Sequence, residues 1–363
     1  MTKIVNICGA RPNFMKIAPL MRAYRAHANI SPLLVHTGQH YDKNMSELFF
    51  DQLGIPAPDL NLEVGSGSHA AQTAEIMKRF EPVVLEHKPQ WVVVVGDVNS
   101  TIACALVAKK LNVRVAHVEA GLRSFDHSMP EEINRLLTDA ISDLLFVSEP
   151  SGLENLRREG VADEKIHFAG NVMIDTLRAS RQQAEQSGVL ADLGLEARGY
   201  NVVTLHRPSN VDDPAIFGRI TDALEHIQRD LPTVFPMHPR TLHNLGRLGL
   251  KQRLEGMPGL RLVEPLGYLD FLKLTSNAAV VLTDSGGIQE ETTILGVWCL
   301  TIRENTERPA TITHGTNQLV GTDPQRILDA YASRRRQSAP ADRSPEKWDG
   351  RAAERIAAVL ARA

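Results

Sequence analysis

The sequence predicts an α/β protein of two doubly wound domains, each with a parallel sheet between layers of helices. Short apolar runs rich in Val, Ile and Leu alternate along the chain with segments of helical spacing. Continuous apolar runs are typical of strands that are buried on both faces, as in parallel sheets. The 363 residues exceed one ordinary domain, and the hydrophobic fraction of 43% is enough for two cores. We therefore expect one domain at residues 1–172 and a second at residues 173–350.

Residues 91–119 form the most informative strand–helix–strand unit. The first strand stops at Asp97 and the second stops at Glu119. Ligands of open α/β sheets bind beyond the carboxyl ends of the strands, so both carboxylates should reach one crevice. Either acid alone could simply cap the following turn. Two acids at successive strand ends favour a site.

Other strands of the first half are also followed by charged residues. Residues 4–8 form a strand, and the turn after it carries Arg11 and Lys16 at the start of a helix. Helix N-termini favour anions, whereas cations placed there oppose the helix dipole, which suggests that these two residues bind a ligand. The alternative is a pair of solvated surface cations. The elements that follow are a strand at residues 32–37 and helices near residues 44–53 and 71–87.

Residues 130–141 predict a helix that begins at Pro130, because proline is favoured at the first helical position. Glu131 and Glu132 in its first turn agree with the helix dipole. They also add carboxylates to those at the two preceding strand ends. Crowded carboxylates raise each other's pKa, so one can hold a proton while another acts as base. The apolar stripe expected to face the core is Ile133, Leu136, Leu137, Ala140 and Ile141. Strands at residues 144–147 and 166–169 complete the first domain.

The second half repeats strands that end at polar residues. After a helix at residues 173–186, we predict strands at residues 202–205, 234–237, 260–263, 279–283 and 298–302. The turn after the fourth of these strands contains Ser285, Gly286 and Gly287, whose backbone amides can approach a diphosphate closely. Glu291, two helical turns further on, can accept hydrogen bonds from a ribose. Cationic or switchable donors follow other strand ends: His206, His238 and Arg308. Any one of them could be a helix cap, but together they predict a phosphate-ligand site.

Composition and spacing exclude several classes of partner and cofactor. A formal net charge of −3 gives no electrostatic reason to expect nucleic acid or an anionic membrane. Isolated Cys8, Cys104 and Cys299 predict reduced core residues of a cytoplasmic protein. The two histidines lack a third ligand at zinc spacing, and no complete glycine fingerprint for NAD occurs. No apolar run reaches the roughly 20 residues that span a bilayer. Residues 333–350 are charged and are expected to form an exposed connection.

Seven motifs of this chain occur together in one known family. They are GARPNFMKIAP, TGQH, GDVNST, HVEAGLR, PEEINR, DSGGIQEE and TERP, in this order. The chain therefore resembles the non-hydrolysing UDP-N-acetylglucosamine 2-epimerases from Lys3 to beyond Gly321. The resemblance implies a glycosyltransferase-B-like fold of two Rossmann-like domains facing a cleft, with residues 351–363 packing back on the first domain, and a homodimer. It also implies reversible conversion of UDP-GlcNAc to UDP-ManNAc without NAD or metal, by elimination of UDP to 2-acetamidoglucal and re-addition.

The resemblance further implies a role for each matching residue. The catalytic carboxylates are Asp97, Glu119 and Glu131, and Arg11, Lys16 and His206 neutralise the diphosphate or assist its departure. The UDP contacts are His238, Ser285, Gly286, Gly287, Glu291 and Arg308. Some members bind a second UDP-GlcNAc as an activator through residues that match Gln39 and His40. Asp42 and the region of His69 depart from that pattern, and Ala310 stands where many members have Glu.

Three other functions stay open at this point. The same 2-epimerase chemistry could act on a modified UDP-sugar such as a diacetamido-uronate. A hydrolysing relative would release free ManNAc and UDP. A catalytically silent protein would only bind a sugar nucleotide, although the presence of all three carboxylates argues against it.

Overall fold

The computed structural model of the chain describes residues 1–39, 53–338 and 344–363, with Arg11 and Pro12 described by their backbone alone. Contacts between residues divide the chain into two compact units. The first comprises Met1–Ala179 and Glu346–Ala363, and the second comprises Ser180–Pro345. The boundaries expected from the sequence, after residues 172 and 350, remain a prediction about domains. The helix predicted near residues 44–53 falls outside the described residues, except at its last position.

A single parallel sheet forms the centre of the first unit. Its strands are β1 (Thr2–Cys8), β2 (Ile30–His36), β3 (Leu60–Asn61), β4 (Trp91–Val95), β5 (Arg114–Ala120), β6 (Leu144–Val147) and β7 (Ile166–Phe168). Within the described residues their order across the sheet is β3-β2-β1-β4-β5-β6-β7, and every neighbouring pair is parallel. Its helices are α1 (Arg11–Tyr24), α2 (His69–His87), α3 (Asn99–Lys110), α4 (Pro130–Ile141) and α5 (Pro150–Arg158). Helix α6 (Val172–Ala184) begins in the first unit and ends in the second.

The second unit has its own parallel sheet. Its strands are β8 (Asn201–Thr204), β9 (Thr233–Pro236), β10 (Leu260–Val263), β11 (Val280–Thr283), β12 (Trp298–Thr301) and β13 (Asn317–Leu319). Their order across the sheet is β10-β9-β8-β11-β12-β13. Its helices are α7 (Val189–Asp192), α8 (Pro208–Val211), α9 (Pro214–Asp230), α10 (Pro239–Arg247), α11 (Lys251–Glu255), α12 (Tyr268–Ser276), α13 (Gly286–Leu295), α14 (Ala310–Thr313) and α15 (Pro324–Arg335). The predicted α/β class with two parallel sheets is confirmed.

Each sheet has a point at which the strand order reverses. In the first unit this point lies between β1 and β4, and in the second it lies between β8 and β11. Loops on the two sides of such a point diverge and leave room for a ligand beyond the carboxyl ends of the strands. The turns after these four strands therefore define where each unit can hold a ligand.

The last segment of the chain packs on the first unit. Trp348 is 1% exposed, and its Nε1 donates to the carbonyl of Ser148 at 2.9 Å. The carboxylate of Asp175 accepts from the backbone amides of Ala352 and Ala353, at 3.1 and 2.7 Å, where α16 (Ala352–Leu360) begins. The expectation that residues 333–350 form only an exposed connection is wrong at Trp348, because its indole fills a pocket of this unit.

Helix α4 shows a second difference from expectation. The predicted core stripe is wrong for Ile133 and Leu137, which are 39% and 51% exposed, and for Ala140, which is exposed as well. The buried face of α4 is polar instead and consists of Glu132, Arg135, Thr138 and Asp139. Glu132, Arg135 and Asp139 make the hydrogen bonds and ion pairs described below, so the side of the helix with Ile133, Leu137 and Ala140 is turned toward solvent. Among the described residues, no helix combines the length and apolar character needed to cross a membrane.

Candidate active site

Lys16 and Glu119 form a buried ion pair beside the carboxyl end of β4. The Nζ atom of Lys16, on α1, contacts Oε2 of Glu119 in β5. Gly96 directly follows β4, and a Cβ added there would lie 2.7 Å from Lys16 Nζ and 3.6 Å from Glu119 Oε2. Gly96 also has a φ of +66°, which only glycine adopts without strain. The turn that carries Asp97 therefore needs glycine next to it.

Glu119 lies at an irregularity of β5. The pairing of β5 with β6 shifts register between Val118 and Ala120, and Glu119 has a φ of +76°. A residue with a side chain costs about 1–3 kcal/mol in this region unless its surroundings impose the conformation. Bulges of this kind re-aim side chains next to active sites. The bulge thus directs the Glu119 carboxylate toward Lys16.

Asp97 is held from α4. Arg135 contacts Asp97 Oδ2 through Nη1, and it binds Oε2 of Glu132 through Nε and Nη2 at 2.9 and 2.6 Å. Asn134 Nδ2 donates to the carbonyl of Asp97 at 2.8 Å. Arg135 is buried, so its charge is compensated by the two carboxylates that it contacts. Helix α4 therefore fixes both the backbone and the side chain of Asp97.

The two neighbouring glutamates of α4, Glu131 and Glu132, have different surroundings. Glu132 is buried and accepts from the amides of Ser124 and Phe125 at 3.0 and 2.9 Å. Burial opposes its ionisation, but these hydrogen bonds and Arg135 lower its pKa below the ordinary value. Glu131 lies one turn before Arg135, on the same helix face. Its half-buried carboxylate has no ion pair within the described part of the chain, whereas Asp97 and Glu119 each contact a cation.

Asn13 connects two of these turns and was not selected from the sequence. Its Oδ1 accepts from the amides of Gly9 and Ala10, both at 3.1 Å, and its Nδ2 donates to the carbonyl of Val95 at 3.0 Å. It thereby joins the turn after β1 to the end of β4. The sequence does contain a signal for this role. Asparagine side chains readily bond nearby backbone, and Asn13 lies in the turn that starts α1.

Gln39 is the described member of the predicted regulatory pair. Its Oε1 accepts from the amide and the hydroxyl of Ser100, at 3.1 and 2.7 Å. Its carbonyl accepts from Gln72 Nε2 at 3.1 Å. These bonds fix the start of α3 close to the Asp97 turn, and a regulatory role stays a prediction. Other predictions concern atoms outside the described ones: the side chain of Arg11, and His40 and Asp42.

Asp284 organises the strand ends of the second unit. Its buried carboxylate accepts from the amides of His206 and Arg207, at 3.0 and 2.9 Å, and from Asn210 Nδ2 at 3.1 Å. It also contacts Nδ1 of His206 at 2.9 Å. Burial opposes its ionisation, but His206 and the backbone hydrogen bonds hold its pKa below the ordinary value. Asp284, which was not selected as a site residue from the sequence, therefore orients the His206 ring.

His238 lies close to His206, with 5.4 Å between ring centroids. Its Nδ1 accepts from the amide of Arg240 at 3.2 Å, so His238 caps α10, as expected of a lone polar residue at a helix start. Because Nδ1 is the acceptor, Nε2 carries the ring hydrogen and can donate. The capping role and a ligand-binding role are therefore compatible.

The predicted glycine-rich turn forms the start of α13. Ser285 is the residue before the helix, and Gly286 and Gly287 are its first two residues. The amides of a first helical turn lack acceptors within the helix and favour anions. A Cβ on Gly286 would lie 2.8 Å from Arg308 Nη1 and 2.9 Å from Glu307 Oε1. The absence of a side chain thus lets a guanidinium lie beside these amides.

Arg308 belongs to a cluster of arginines around Glu307. Arg308 binds Glu307 Oε1 at 2.5 Å and Glu290 Oε1 at 2.7 Å. Arg303 binds Glu307 Oε2 at 2.8 Å, and Arg207 lies 3.7 Å from its Oε1. Burial opposes the ionisation of Glu307, but these three arginines hold its pKa well below the ordinary value. With three guanidinium groups against two carboxylates, the cluster keeps positive charge. Sequence reasoning missed Arg207 and Arg303, although each follows the end of a predicted strand closely.

Glu291 is buried further along α13. Its Oε1 lies 3.4 Å from the Tyr268 hydroxyl. Burial and the negative charge of Glu290 raise the pKa of Glu291 to about 8. A neutral carboxyl can donate one hydrogen bond and accept others, which suits a ribose that has both donors and acceptors.

Among the described residues, no group of three or more His, Cys, Asp or Glu is arranged to hold a metal ion.

Three comparisons identify known proteins to which this chain is similar. A family profile described as UDP-N-acetylglucosamine 2-epimerase matches residues 22–361. A UDP-N-acetylglucosamine 2-epimerase of Methanococcus maripaludis is 42% identical over 334 residues, 91% of this chain and 90% of that protein. A UDP-2,3-diacetamido-2,3-dideoxy-D-glucuronate 2-epimerase of Pseudomonas aeruginosa is 42% identical over 364 residues, 99% of each chain. The crystal structure of the Methanocaldococcus jannaschii UDP-GlcNAc 2-epimerase in complex with UDP-GlcNAc and UDP superposes with a TM-score of 0.93, at 41% identity over 100% of both chains.

Proposed function

The chain belongs to the UDP-N-acetylglucosamine 2-epimerase family, and on this premise we propose that it interconverts UDP-N-acetylglucosamine and UDP-N-acetylmannosamine. The observation that carries the proposal is the arrangement of Asp97, Glu119 and Glu131 at the strand ends and first helical turn of the first unit. Two of these carboxylates contact buried cations, Arg135 and Lys16. Carboxylates that differ in this way can divide acid and base roles between them.

The proposed reaction inverts C2 by elimination and re-addition. The C2 hydrogen is a weak acid, so its removal becomes feasible as the C1–O bond to UDP breaks and positive charge develops at C1. A carboxylate takes the C2 proton, a C1–C2 double bond forms, and the electron pair of the C1–O bond leaves with UDP. A carboxyl group then protonates the other face of C2 while the UDP oxygen adds back to C1. Each positioned proton-transfer group contributes about 10²–10⁴-fold to the rate.

The contacts of the carboxylates suggest how the roles are divided. An acid and a base must act on opposite faces of C2. We assign one of these roles to Glu131, because its carboxylate, unlike the other two, has no cation partner among the described residues. The other role falls to Asp97 or Glu119, which Arg135 and Lys16 hold in fixed positions. Such preorganised groups need no reorganisation when the reaction occurs.

The second unit supplies the groups suited to UDP. The amides at the start of α13, with Ser285, and the positively charged cluster of Arg308 match a diphosphate. His206 and His238 add ring donors beside them. Charge accumulates on the diphosphate as the C1–O bond breaks, so fixed cations stabilise the transition state more than the ground state. Glu291 is assigned to the ribose.

A second substrate is favoured by one specific observation. The Pseudomonas aeruginosa relative, which is named for a diacetamido-glucuronate, aligns with nearly the whole of this chain. The same elimination and re-addition would serve that sugar, because the chemistry takes place at C1 and C2 and the uronate lies at C6. The second candidate is therefore a 2-epimerase of a UDP-diacetamido-uronate.

Isotope exchange tests the proposal directly. UDP-GlcNAc incubated with the protein in D₂O should give UDP-ManNAc with deuterium at C2, followed by NMR. Free ManNAc with UDP would indicate a hydrolysing enzyme instead. Folded protein that gives neither exchange nor product contradicts the proposal for this substrate. The same experiment with the diacetamido-uronate, compared through kcat/KM, decides between the two substrates.

We also propose that the protein acts as a homodimer through the exposed apolar face of α4. Ile133, Leu137 and Ala140 lie at i, i+4 and i+7 and form one stripe on the solvent side of the helix. A second copy would bury this stripe symmetrically. We also propose a cytoplasmic location, which the isolated cysteines led us to expect.

A further inference from the structure

Behind the catalytic carboxylates of the first unit lies a buried imidazole–carboxylate pair, His117 and Asp139. We infer that these two residues are positioning residues that hold the Asp97 turn and the Glu119 bulge in one fixed arrangement, an inference that rests on the proposed epimerase function. Neither of the two was selected from the sequence or assigned a role above. His117 lies in the middle of β5 and Asp139 lies in α4.

His117 bridges two acceptors and has no exposed surface. Its Nδ1 lies 2.6 Å from Asp139 Oδ1, and its Nε2 lies 2.9 Å from the carbonyl oxygen of Gly96. A backbone carbonyl can only accept, and so can an ionised carboxylate. The ring therefore carries a hydrogen on both nitrogens and is cationic. A histidine with both nitrogens engaged in this way is rigidly oriented.

Asp139 uses its second oxygen to hold the other side of the bulge. Its Oδ2 accepts from the amide of Gly121 at 3.0 Å and from Arg123 Nη1 at 2.7 Å. Burial opposes the ionisation of Asp139, but the charges of His117 and Arg123 and their hydrogen bonds lower its pKa below the ordinary value. One carboxylate thus ties residue 117 to residue 121, on the two sides of Glu119.

The pair is stable as a buried charge group because its charges balance. Arg123 also binds Glu159 through Nε and Nη2, at 2.8 and 2.6 Å. Two cations therefore face two carboxylates: His117 and Arg123, with Asp139 and Glu159. Removing one member of a buried group of this kind leaves an uncompensated charge, whereas a neutral donor of the same shape preserves part of the arrangement.

The positions of the bonds show what the pair controls. Gly96 immediately precedes Asp97, and its amide donates to the carbonyl of Val118 at 3.0 Å. The bond from His117 to the Gly96 carbonyl therefore fixes the peptide group that joins Gly96 to Asp97, at the end of β4. Gly121 follows Glu119 by two residues. A displacement of about 1 Å in a catalytic group can cost about 10²-fold in rate. The pair of His117 and Asp139 therefore affects turnover, although it is buried and does not contact substrate.

Two substitutions of His117 separate the two hydrogen bonds. In His117→Gln the side-chain amide reaches the place of Nε2 and can still donate to Gly96. In His117→Asn the amide takes the place of Nδ1 and can still donate to Asp139, while the Gly96 carbonyl loses its donor. We expect kcat for UDP-GlcNAc epimerisation to fall about 10²-fold in His117→Asn and less than about tenfold in His117→Gln. The dissociation constant of UDP should change much less than kcat in both, because most of the groups assigned to UDP belong to the second unit.

A matched control separates positioning from stability. His167 is another histidine in a strand of the first unit, in β7, and its ring packs on Phe146. His167→Asn should change the thermal midpoint but not kcat. Equal kcat for His117→Asn and wild type, per folded molecule, overturns the positioning role. So does a fall in kcat that His167→Asn shares. Wild-type protein without epimerase activity on either proposed UDP-sugar contradicts the proposed function itself, which is a different result.

Discussion

Arg135 contacts the carboxylate of Asp97 from α4 and binds Glu132 of the same helix through its other guanidinium nitrogens. This buried guanidinium joins a proposed catalytic carboxylate to the loop after β5, because Glu132 accepts from the amides of Ser124 and Phe125. The planar fork of arginine can serve two carboxylates at once, which an ammonium group cannot do with the same geometry. The orientation of Asp97 thus depends on a residue 38 positions away in the sequence.

Arg135→Lys tests this dependence while it preserves the positive charge. We expect kcat to fall about 10²-fold, because Asp97 loses its fixed orientation, and the dissociation constant of UDP to stay unchanged. Steady-state kinetics and UDP titration provide the two measurements. Arg79→Lys is the control, since Arg79 pairs with Glu75 on the surface of α2. A variant with wild-type kcat would show that the contact with Asp97 has no part in turnover.

The neighbouring glutamates of α4 should respond in opposite ways to the same substitution. Glu131→Gln removes a proposed proton-transfer group, so turnover should fall by about 10²–10⁴-fold with the thermal midpoint unchanged. Glu132→Gln leaves buried Arg135 without a full counter-charge, so it should destabilise the fold by up to about 3–5 kcal/mol. Activity assays and thermal unfolding of both variants measure the contrast. Loss of stability in Glu131→Gln, with kcat retained, would assign it a capping role instead.

The strands and their polar ends could be predicted from the sequence because buried strands have a simple signature. Apolar runs of four or more residues mark them, and the runs at residues 144–147 and 260–263 coincide with β6 and β10. Asp97 and Glu119 followed directly, since they interrupt or close such runs. The strands β3 and β13, of two and three residues, are too short to show a pattern.

The partners of the site residues could not be predicted in the same way. Patterning assumes that the apolar stripe of a helix faces the core, and in α4 the buried face is polar because Arg135 and Asp139 bind other turns. The bulge at Glu119 is equally hidden, because the run of residues 114–120 reads as an unbroken strand. Such features arise from contacts between residues that are distant in sequence, which local spacing does not encode.

The substitution Asp284→Asn should disturb the orientation of the His206 ring and lower kcat. Four donors converge on the Asp284 carboxylate, and an asparagine has a single acceptor oxygen, so its amide nitrogen would face another donor. We expect the His206 ring to lose its orientation and kcat to fall by about 10²-fold or more. The comparison is His206→Gln, which should give a similar fall and no further fall when combined with Asp284→Asn. Additive losses in the double variant would contradict a shared role.

Leu137→Glu tests the proposed dimer. A carboxylate at the centre of the exposed stripe of α4 would be buried against a second copy, so the dimer should dissociate. Sedimentation velocity should show a dimer for wild type and a monomer for the variant. Leu242→Glu, at a leucine of α10 that is 46% exposed, is the matched control and should stay dimeric. A dimeric Leu137→Glu variant would place the subunit contact elsewhere.

The buried carboxyl of Glu291 should make stability depend on pH. Burial and Glu290 raise the pKa of Glu291 from an ordinary 4.5 to about 8. The folded state therefore holds this proton where the unfolded chain has lost it, and stability that is fully present below pH 4.5 is lost as pH rises through 8. At about 1.4 kcal/mol per pKa unit, the loss by pH 9 amounts to a few kcal/mol. Glu291→Gln lacks this titration, so its thermal midpoint relative to wild type should rise from pH 5 to pH 9, whereas exposed Glu255→Gln should show no such trend. A constant difference across this pH range would mean that Glu291 is ionised throughout, with a cationic partner that compensates its charge.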